Sequence, residues 1–193
     1  FIAYYPHPKS CIYKLNSSDK DEQIPISQAD AKYKRYIGNG APKHFLSWSN
    51  NLTWRNFDLS VFFRGTFGFD VFNMRKYGMG LQGCGTDNVL RSAYLEDKNI
   101  RTGGGVISSY FLEDGSFIKL ENVTLGYNFT PKNRKLLDNM RIYLSAKNLF
   151  TLTGYSGNDP SIIDVNGIQP GVDSNSAYPT ATQLSLGVTL RFK

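Results

Sequence analysis

TQLSLGVTLRF, residues 182–192, places Leu184, Leu186, Val188, Leu190 and Phe192 at every second position. Gln183, Ser185, Gly187, Thr189 and Arg191, all polar or small, fill the places between. Successive side chains of a strand point to opposite faces, so the stretch reads as a strand with one apolar and one polar face. A soluble sheet lying over a core shows the same alternation. The run also has the length of a tilted transmembrane strand, about 9–11 residues. Its closing Phe192 stands where an interfacial aromatic girdle would lie. Both readings are open on this stretch alone.

The same pattern recurs upstream. Residues 45–54 (FLSWSNNLTW) set Leu46, Trp48, Leu52 and Trp54 on one face, with Asn50 the exception, and Ser47, Ser49, Asn51 and Thr53 on the other. After Arg55-Asn56, residues 57–65 resume with Phe57, Leu59, Val61 and Phe63 against Asp58, Ser60, Phe62 and Arg64. Two alternating runs joined by two polar residues predict a tight hairpin. Within 116–129 the alternation is clean towards the end: Val123, Leu125, Tyr127 and Phe129 against Asn122, Thr124, Gly126 and Asn128. Residues 141–152 put Ile142, Leu144, Ala146, Phe150 and Leu152 opposite Arg141, Tyr143, Ser145, Lys147 and Thr151.

The connections sort by length. Residues 1–44 read mostly as a loop, 45–65 as a strand hairpin, 66–115 as a long irregular loop with one short helix or strand near 87–97, 116–152 as a second hairpin around a connection at 130–140, 153–181 as a loop, and 182–192 as the last strand. In an up-and-down meander alternate connections share a side, so the three long ones fall on one side and the two short ones on the other. Long extracellular loops and short periplasmic turns mark outer-membrane barrels, and they put the C-terminus at the periplasmic end. Five or six strands cannot close such a barrel, whose smallest members have about eight. An open sheet would leave two bare edges. The chain is therefore expected to be the end of a longer polypeptide, as its start on Phe1 without a leader also suggests.

Composition agrees with a β protein: 14% aromatic residues and 18 Gly among 193 residues. No run approaches the roughly 18 apolar residues of a membrane helix. The net charge of +6 is scattered along the sequence, which reads as a solvated surface and not as a nucleic-acid site. Cys11 and Cys84 are too few for a disulfide framework; a single pair and two free thiols both remain open. No nucleophile–base pair, cofactor loop or His/Cys cluster of metal spacing is present, so an enzyme is not expected.

Four segments then resemble, in order, the C-terminal part of the SusC/RagA-like family of TonB-linked outer-membrane transporters of Bacteroidetes-type bacteria. They are IGNGAPKHFLSWSNNLTWRNFDLSVFFRGTFGFDVFN (37–73), YFLEDGSFIKLENVTLGYNF (110–129), MRIYLSAKNLFTLTGYSGNDP (140–160), and PGVD (170–173) followed by Tyr178-Pro179 and the terminal strand. Lys193 departs from the many members that end on Phe, and residues 1–36 look like a variable outer loop. The resemblance implies a 22-stranded all-β transmembrane barrel. It also implies an N-terminal plug outside this chain, drive from TonB and the proton-motive force, and a SusD-like surface lipoprotein as lid. The implied cargo is an oligosaccharide or a peptide. No cofactor is implied. The rivals are a porin or adhesin barrel without TonB, a soluble carbohydrate-binding sandwich and, least supported, an outer-membrane enzyme.

Candidate site residues follow from placement. Phe69, Tyr155 and Tyr178 in the outer loops could stack on a sugar or pack under a lid, or simply order their own loops. Asp159 and Asp173 stand with them as candidate contacts; with Asp164 and Asn166 they could offer oxygens to calcium, though turn-forming Asx residues are the simpler account. Glu113-Asp114-Gly115 reads as an acidic turn entering the next strand. Asp58, Arg64, Arg141, Tyr143 and Lys147 on the polar faces are candidate lumen-lining groups. Leu186, Val188, Leu190 and Phe192 resemble the C-terminal signal read by the barrel-assembly machinery, and they would also face outer-membrane lipid. An exposed strand edge can template pairing with a partner strand.

Overall fold

A computed structural model describes residues 2–3, 6–7, 11–15, 21–25, 35–80, 88–91, 109–131, 137–163, 168–174 and 178–192. The strands among them are β1 (Ile2–Ala3), β2 (Pro6–His7), β3 (Cys11–Leu15), β4 (Asp21–Pro25), β5 (Arg35–Tyr36), β6 (His44–Trp54), β7 (Phe57–Phe67), β8 (Asp70–Asn73), β9 (Leu112–Asp114), β10 (Phe117–Phe129), β11 (Leu137–Thr153), β12 (Val172–Asp173) and β13 (Gln183–Phe192). One six-residue helix, α1, runs Met74–Met79. The chain folds as two units. One, the strand unit, comprises Lys43–Phe67, Ser116–Gly154 and Pro179–Lys193; the other, the loop unit, holds the remaining segments.

The strand unit is a single antiparallel meander in the order β13-β11-β10-β7-β6. The all-β, up-and-down antiparallel class expected from the alternation is the class found. Register turns the separate patterns into rows. Leu52, Leu59, Leu125, Leu144 and Leu186 line up across all five strands, and Trp54, Phe57, Tyr127, Ile142 and Val188 form the row below them. On the other face Asn51, Ser60, Thr124, Ser145 and Ser185 make an equally continuous row of hydroxyls and one amide. The apolar rows are uncovered: Leu186 is 76% exposed, Leu52 58% and Leu144 51%.

One irregularity explains why the alternation in 116–129 is clean only towards its end. Glu121 is skipped in the pairing of β10 with both neighbours. This bulge moves the apolar face from the odd residues Val123–Phe129 to the even residues Leu120 and Ile118. Leu120 then pairs with Phe63 and Phe150, and the apolar face stays continuous. Lys119 and Phe117 fall on the polar face, where both are buried. The connection after β10 is shorter than the 130–140 expected, because β11 starts at Leu137.

Within 66–115, expected to be irregular, the described residues form β8, α1 and β9, while 81–87 and 92–108 lie outside the described residues. The centre of the loop unit is β8, only four residues long. β9 pairs with it antiparallel and β12 parallel. The Asp70 N–H donates to the Asn39 carbonyl at 2.7 Å, and the Phe72 N–H to the Gly171 carbonyl at 2.8 Å. Segments 39–41, 112–114 and 171–173 thus all fasten to β8, which joins the three long connections into one body. Val71 has no exposed surface, and Phe72 packs edge-on against Phe111 with Tyr77, Tyr110, Leu112 and Met74 around them. A strand with Val71, Phe72 and Asn73 all buried shows no alternation to read. Approach is closest at Gly40, where a Cβ would sit 2.0 Å from the Pro170 carbonyl oxygen, and at Gly171, whose φ is +76°. Asn73 caps α1 by accepting from the Lys76 N–H at 2.8 Å. Of the element expected near 87–97, residues 88–91 have neither helix nor strand and the rest lies outside the described residues.

Val71→Ala is expected to destabilise the loop unit by roughly 1–2 kcal/mol, the cost of a lost branch with little room to collapse. Limited proteolysis of the full-length protein, read by cleavage within 37–42, 68–80 and 168–174, checks this. Protection equal to wild type would mean that β8 does not hold the unit together.

Candidate functional site

On the polar face of the strand unit, Asp58 of β7 and Arg141 of β11 reach each other across β10. Arg141 Nε donates to Asp58 Oδ1 at 3.1 Å and Nη2 donates to Oδ2. Asn128 of β10 adds a third bond, Nδ2 to Asp58 Oδ1 at 2.8 Å. The gap they cross exists because residue 126 is glycine: a Cβ there would lie 2.5 Å from the Asp58 carboxylate and 2.7 Å from Arg141 Nε. Arg141 also sits 5.1 Å over the Tyr143 ring, and that ring covers Gly187 on β13. Asp58, Gly126, Tyr143 and Gly187 share one register row.

A second group lies further along the face. Arg64 Nε donates to Glu121 Oε2 at 3.1 Å, with its guanidinium 5.5 Å over Phe117. Buried Lys119 donates to Thr180 Oγ1 at 2.8 Å. Both acids of this face, Asp58 and Glu121, are therefore held by arginines, while Lys147 stands exposed beside Asn122 and Gln183. The pairs are partly solvated, so each is worth on the order of 0.2–1 kcal/mol. All five candidate lumen-lining residues share this face: Asp58, Arg141 and Tyr143 meet, Arg64 pairs elsewhere, and Lys147 joins neither group. Sequence reading missed Glu121, Asn128 and Gly126; an acidic residue between two polarity phases was the available signal for the first.

Four of the five candidate contacts in the loop unit turn inward. Phe69 and Tyr155 are buried, and the Tyr155 hydroxyl donates to Asp173 Oδ2 at 2.6 Å. Burial and then that carboxylate push the Tyr155 phenol well above its usual range. Buried Asp159 caps the short turn Pro160–Ile162 by accepting from the Ser161 N–H at 2.9 Å. Asp159 and Asp173 thus have local hydrogen-bond roles; Asp164 and Asn166 lie outside the described residues, as does any Cys11–Cys84 pairing. The side chains of Phe69, Tyr155, Asp159 and Asp173 are thus engaged within the loop unit. Tyr178 is different, at 91% exposed.

Glu113, read only as part of an acidic turn, is the polar centre of the loop unit. It accepts from the Ser156 N–H and hydroxyl, each at 2.8 Å, and from Asn73 Nδ2 at 3.4 Å. Lys76 Nζ lies 3.3 Å away and 4.3 Å over the Tyr110 ring. Burial alone would raise the carboxyl pKa, but the Ser156 bonds and Lys76 outweigh it and leave the value below the ordinary range. A folded-state value below the unfolded one gives stability that is full above the unfolded pKa and lost as pH falls through the folded one.

Stability of the loop unit is therefore expected to hold at neutral pH and fall in acid, below the ordinary glutamate value of 4.5. Glu113→Gln should flatten that acid limb and loosen 73–79 and 154–158 together by hydrogen exchange. An unchanged acid profile in the variant would remove Glu113 from this role.

Comparison with known proteins places these features. No family model matches the chain. It is 28% identical over 196 residues to TonB-dependent receptor P3 of Formosa agariphila, covering 91% of this chain and 18% of that protein. It is also 28% identical over 153 residues to TonB-dependent receptor SusC of Bacteroides thetaiotaomicron, covering 75% of this chain and 14% of that one. The chain thus spans less than a fifth of the length of either relative. Among solved structures, the RagAB peptide importer in its closed-closed state matches 98% of this chain and 22% of its own, with a TM-score of 0.75 at 21% identity. The RagAB peptide importer in its open-open state matches with a TM-score of 0.74.

Proposed function

From a chain similar to SusC/RagA-like TonB-dependent receptors in sequence and fold, we propose that it forms the last wall segment and outer loops of an outer-membrane active importer. The observation that carries this reading is the one-layer sheet, with a row of leucines on one face, four of the five exposed, and a row of hydroxyls and one amide on the other. In water such an apolar face would be buried against a second layer. Facing lipid it needs no cover, since the three inner strands satisfy their backbones through their neighbours and closure into a barrel would do the same for the edge strands β6 and β13. The face on β6 runs from Leu46 to Trp54, eight residue steps or about 27 Å, close to the ~25 Å apolar band of outer-membrane barrels. Aromatics stand towards both ends of it: Trp48, Phe63 and Phe150 one row in from Leu46, and Trp54, Phe57, Tyr127, Phe129 and Phe192 at the other end.

In this reading the cargo is a bulky nutrient, an oligosaccharide or a peptide, and it passes along the polar face. Energy comes from TonB acting on parts of the polypeptide outside this chain, and a SusD-like surface lipoprotein closes the outer mouth. The long connections are extracellular, with Tyr178, 91% exposed, the candidate contact left open to lid or cargo. Phe69, Tyr155, Asp159 and Asp173 support such contact from beneath by shaping the loops. No catalytic step is assigned; the chain's chemistry is binding and passage.

Leu144→Arg in the full-length protein is expected to cost about 2–4 kcal/mol of folding stability in bilayers, while Ser145→Arg on the opposite face is tolerated. Urea titration of vesicle-refolded protein measures both, and equal losses at the two positions would rule out a lipid-facing side. Phe192→Ala is expected to lower the amount of full-length protein recovered in the outer membrane. Wild-type levels of the variant would show that the terminal aromatic carries no assembly signal.

A further inference from the structure

Alternation between the two faces forbids a slip of one residue between strands, but it is blind to a slip of two. β13 is the strand most open to such an error. Its apolar face carries Leu184, Leu186, Val188, Leu190 and Phe192, so a two-residue slip against β11 sets one apolar side chain where another stood. Slipped one way, Arg191 comes opposite Arg141, and like charges directly opposite repel. Slipped the other way, Leu184 comes opposite Leu144, Ser185 opposite Tyr143 and Gly187 opposite Arg141, with no conflict of charge. Side-chain bonds do hold residues 180–182: Lys119 to Thr180, Asn148 Nδ2 to the Ala181 carbonyl at 3.2 Å, and Thr182 to the Asn148 carbonyl at 2.9 Å. They tie the segment that enters the strand, and the last two are exposed, where water replaces such bonds at small cost.

One position of β13 is not interchangeable with those two residues away. Gly187 lies opposite Tyr143 with the ring laid over it: a Cβ at residue 187 would overlap Cζ and Oη and stand 2.7 Å from Cε1. A ring can relieve such an overlap by turning away, provided it has somewhere to go. The place on the other side of Tyr143, over Gly126, is filled by the Asp58–Arg141 pair. The Arg141 guanidinium also stacks 5.1 Å from the ring centre. Along the row Asp58, Gly126, Tyr143 and Gly187, the ion pair thus covers the first glycine and directs the ring onto the second.

We infer that the Tyr143 ring seated on Gly187 is the register key of the terminal strand. Tyr143 is then a positioning residue: it admits β13 where the strand lacks a side chain and rejects the slip that would bring the Cβ of Ser185 beneath it. The stake is the placing of Phe192. A two-residue slip in that direction moves β13 by roughly 7 Å and carries Phe192 past Leu137, beyond the aromatic end of the apolar face. The inference rests on the meander and its register, and it is independent of the cargo, the plug and the lid.

The test is disulfide trapping in full-length protein, in membranes of expressing cells and in a cysteine-free background. Leu144→Cys with Leu186→Cys reports the native register, and Leu144→Cys with Leu184→Cys reports the slipped one. Directly opposite residues fall within the reach of a disulfide, about 4.4–6.8 Å between Cα atoms, whereas diagonal neighbours stand about 7–8 Å apart. Wild type and Tyr143→Phe are expected to form the native disulfide alone. Gly187→Ala should lower the ratio of native to slipped disulfide about fivefold or more, the low end of what overpacking costs. Tyr143→Ala should also let the slipped disulfide form, and adding Gly187→Ala to it should change the ratio no further, because the ring that met the new Cβ is gone. An unchanged ratio in Gly187→Ala, or an equal fall with and without the ring, overturns the inference. So does a Tyr143→Ala protein that forms the native disulfide alone, or one that forms neither, which would make the ring a requirement of folding and not of register.

Discussion

Everything in the strand unit depends on one constraint: a single sheet must meet two different surroundings through its two faces. Hydrogen bonding runs sideways from strand to strand and leaves the faces free of backbone demand. The side chains then sort by parity, and register carries that sorting across five strands in unbroken rows of leucine and of hydroxyl. A slip of one residue anywhere would exchange the faces of a whole strand. That makes the bulge at Glu121 informative. It slips β10 once, deliberately placed so that Leu120 and Ile118 rejoin the apolar face their neighbours require.

The loop unit obeys a different rule. Its described residues around β8 show no alternation, and they are held by convergence on that strand: backbone bonds to Asn39 and Gly171, a strand pair with β9, and the Glu113 carboxylate that gathers Ser156, Asn73 and Lys76. Aromatic and acidic residues that look like contacts for a ligand are largely used inside this body. Tyr155 and Asp173 bind each other, Asp159 caps a turn, and Phe69 is enclosed. The segments through which the chain resembles SusC/RagA-like transporters divide accordingly. NFDLSVFF and the terminal strand build the sheet, whereas IGNG, GFDVFN and PGVD are the pieces that meet around β8.

How much was legible in the sequence follows from this division. The five long strands were readable because each exposes one face to each surrounding, which writes a period of two into the residues. β8 was not, since burial on both sides leaves three consecutive buried residues and no period. The start of β11 was misplaced because Asp138 interrupts the alternation where Leu137 pairs with Phe192. Among site residues, polarity and parity located Asp58, Arg64, Arg141, Tyr143 and Lys147 on one face. They could not reveal that Asp58 and Arg141 meet across a third strand, because that contact turns on the missing Cβ of Gly126. Glu113 was invisible for the same kind of reason: its partners come from segments 37–43 residues away, and nothing near it in the chain announces them.

The convergence on β8 has a consequence for how such a protein can change. Because each long connection is clamped to the same four residues, no loop is an independent module. A stretch transplanted alone from a relative would arrive without the partners that define its shape, whatever its own sequence. A chimera of these connections should therefore carry Asn39–Gly40, Asp70–Asn73, Leu112–Asp114 and Gly171–Asp173 together as one exchanged set.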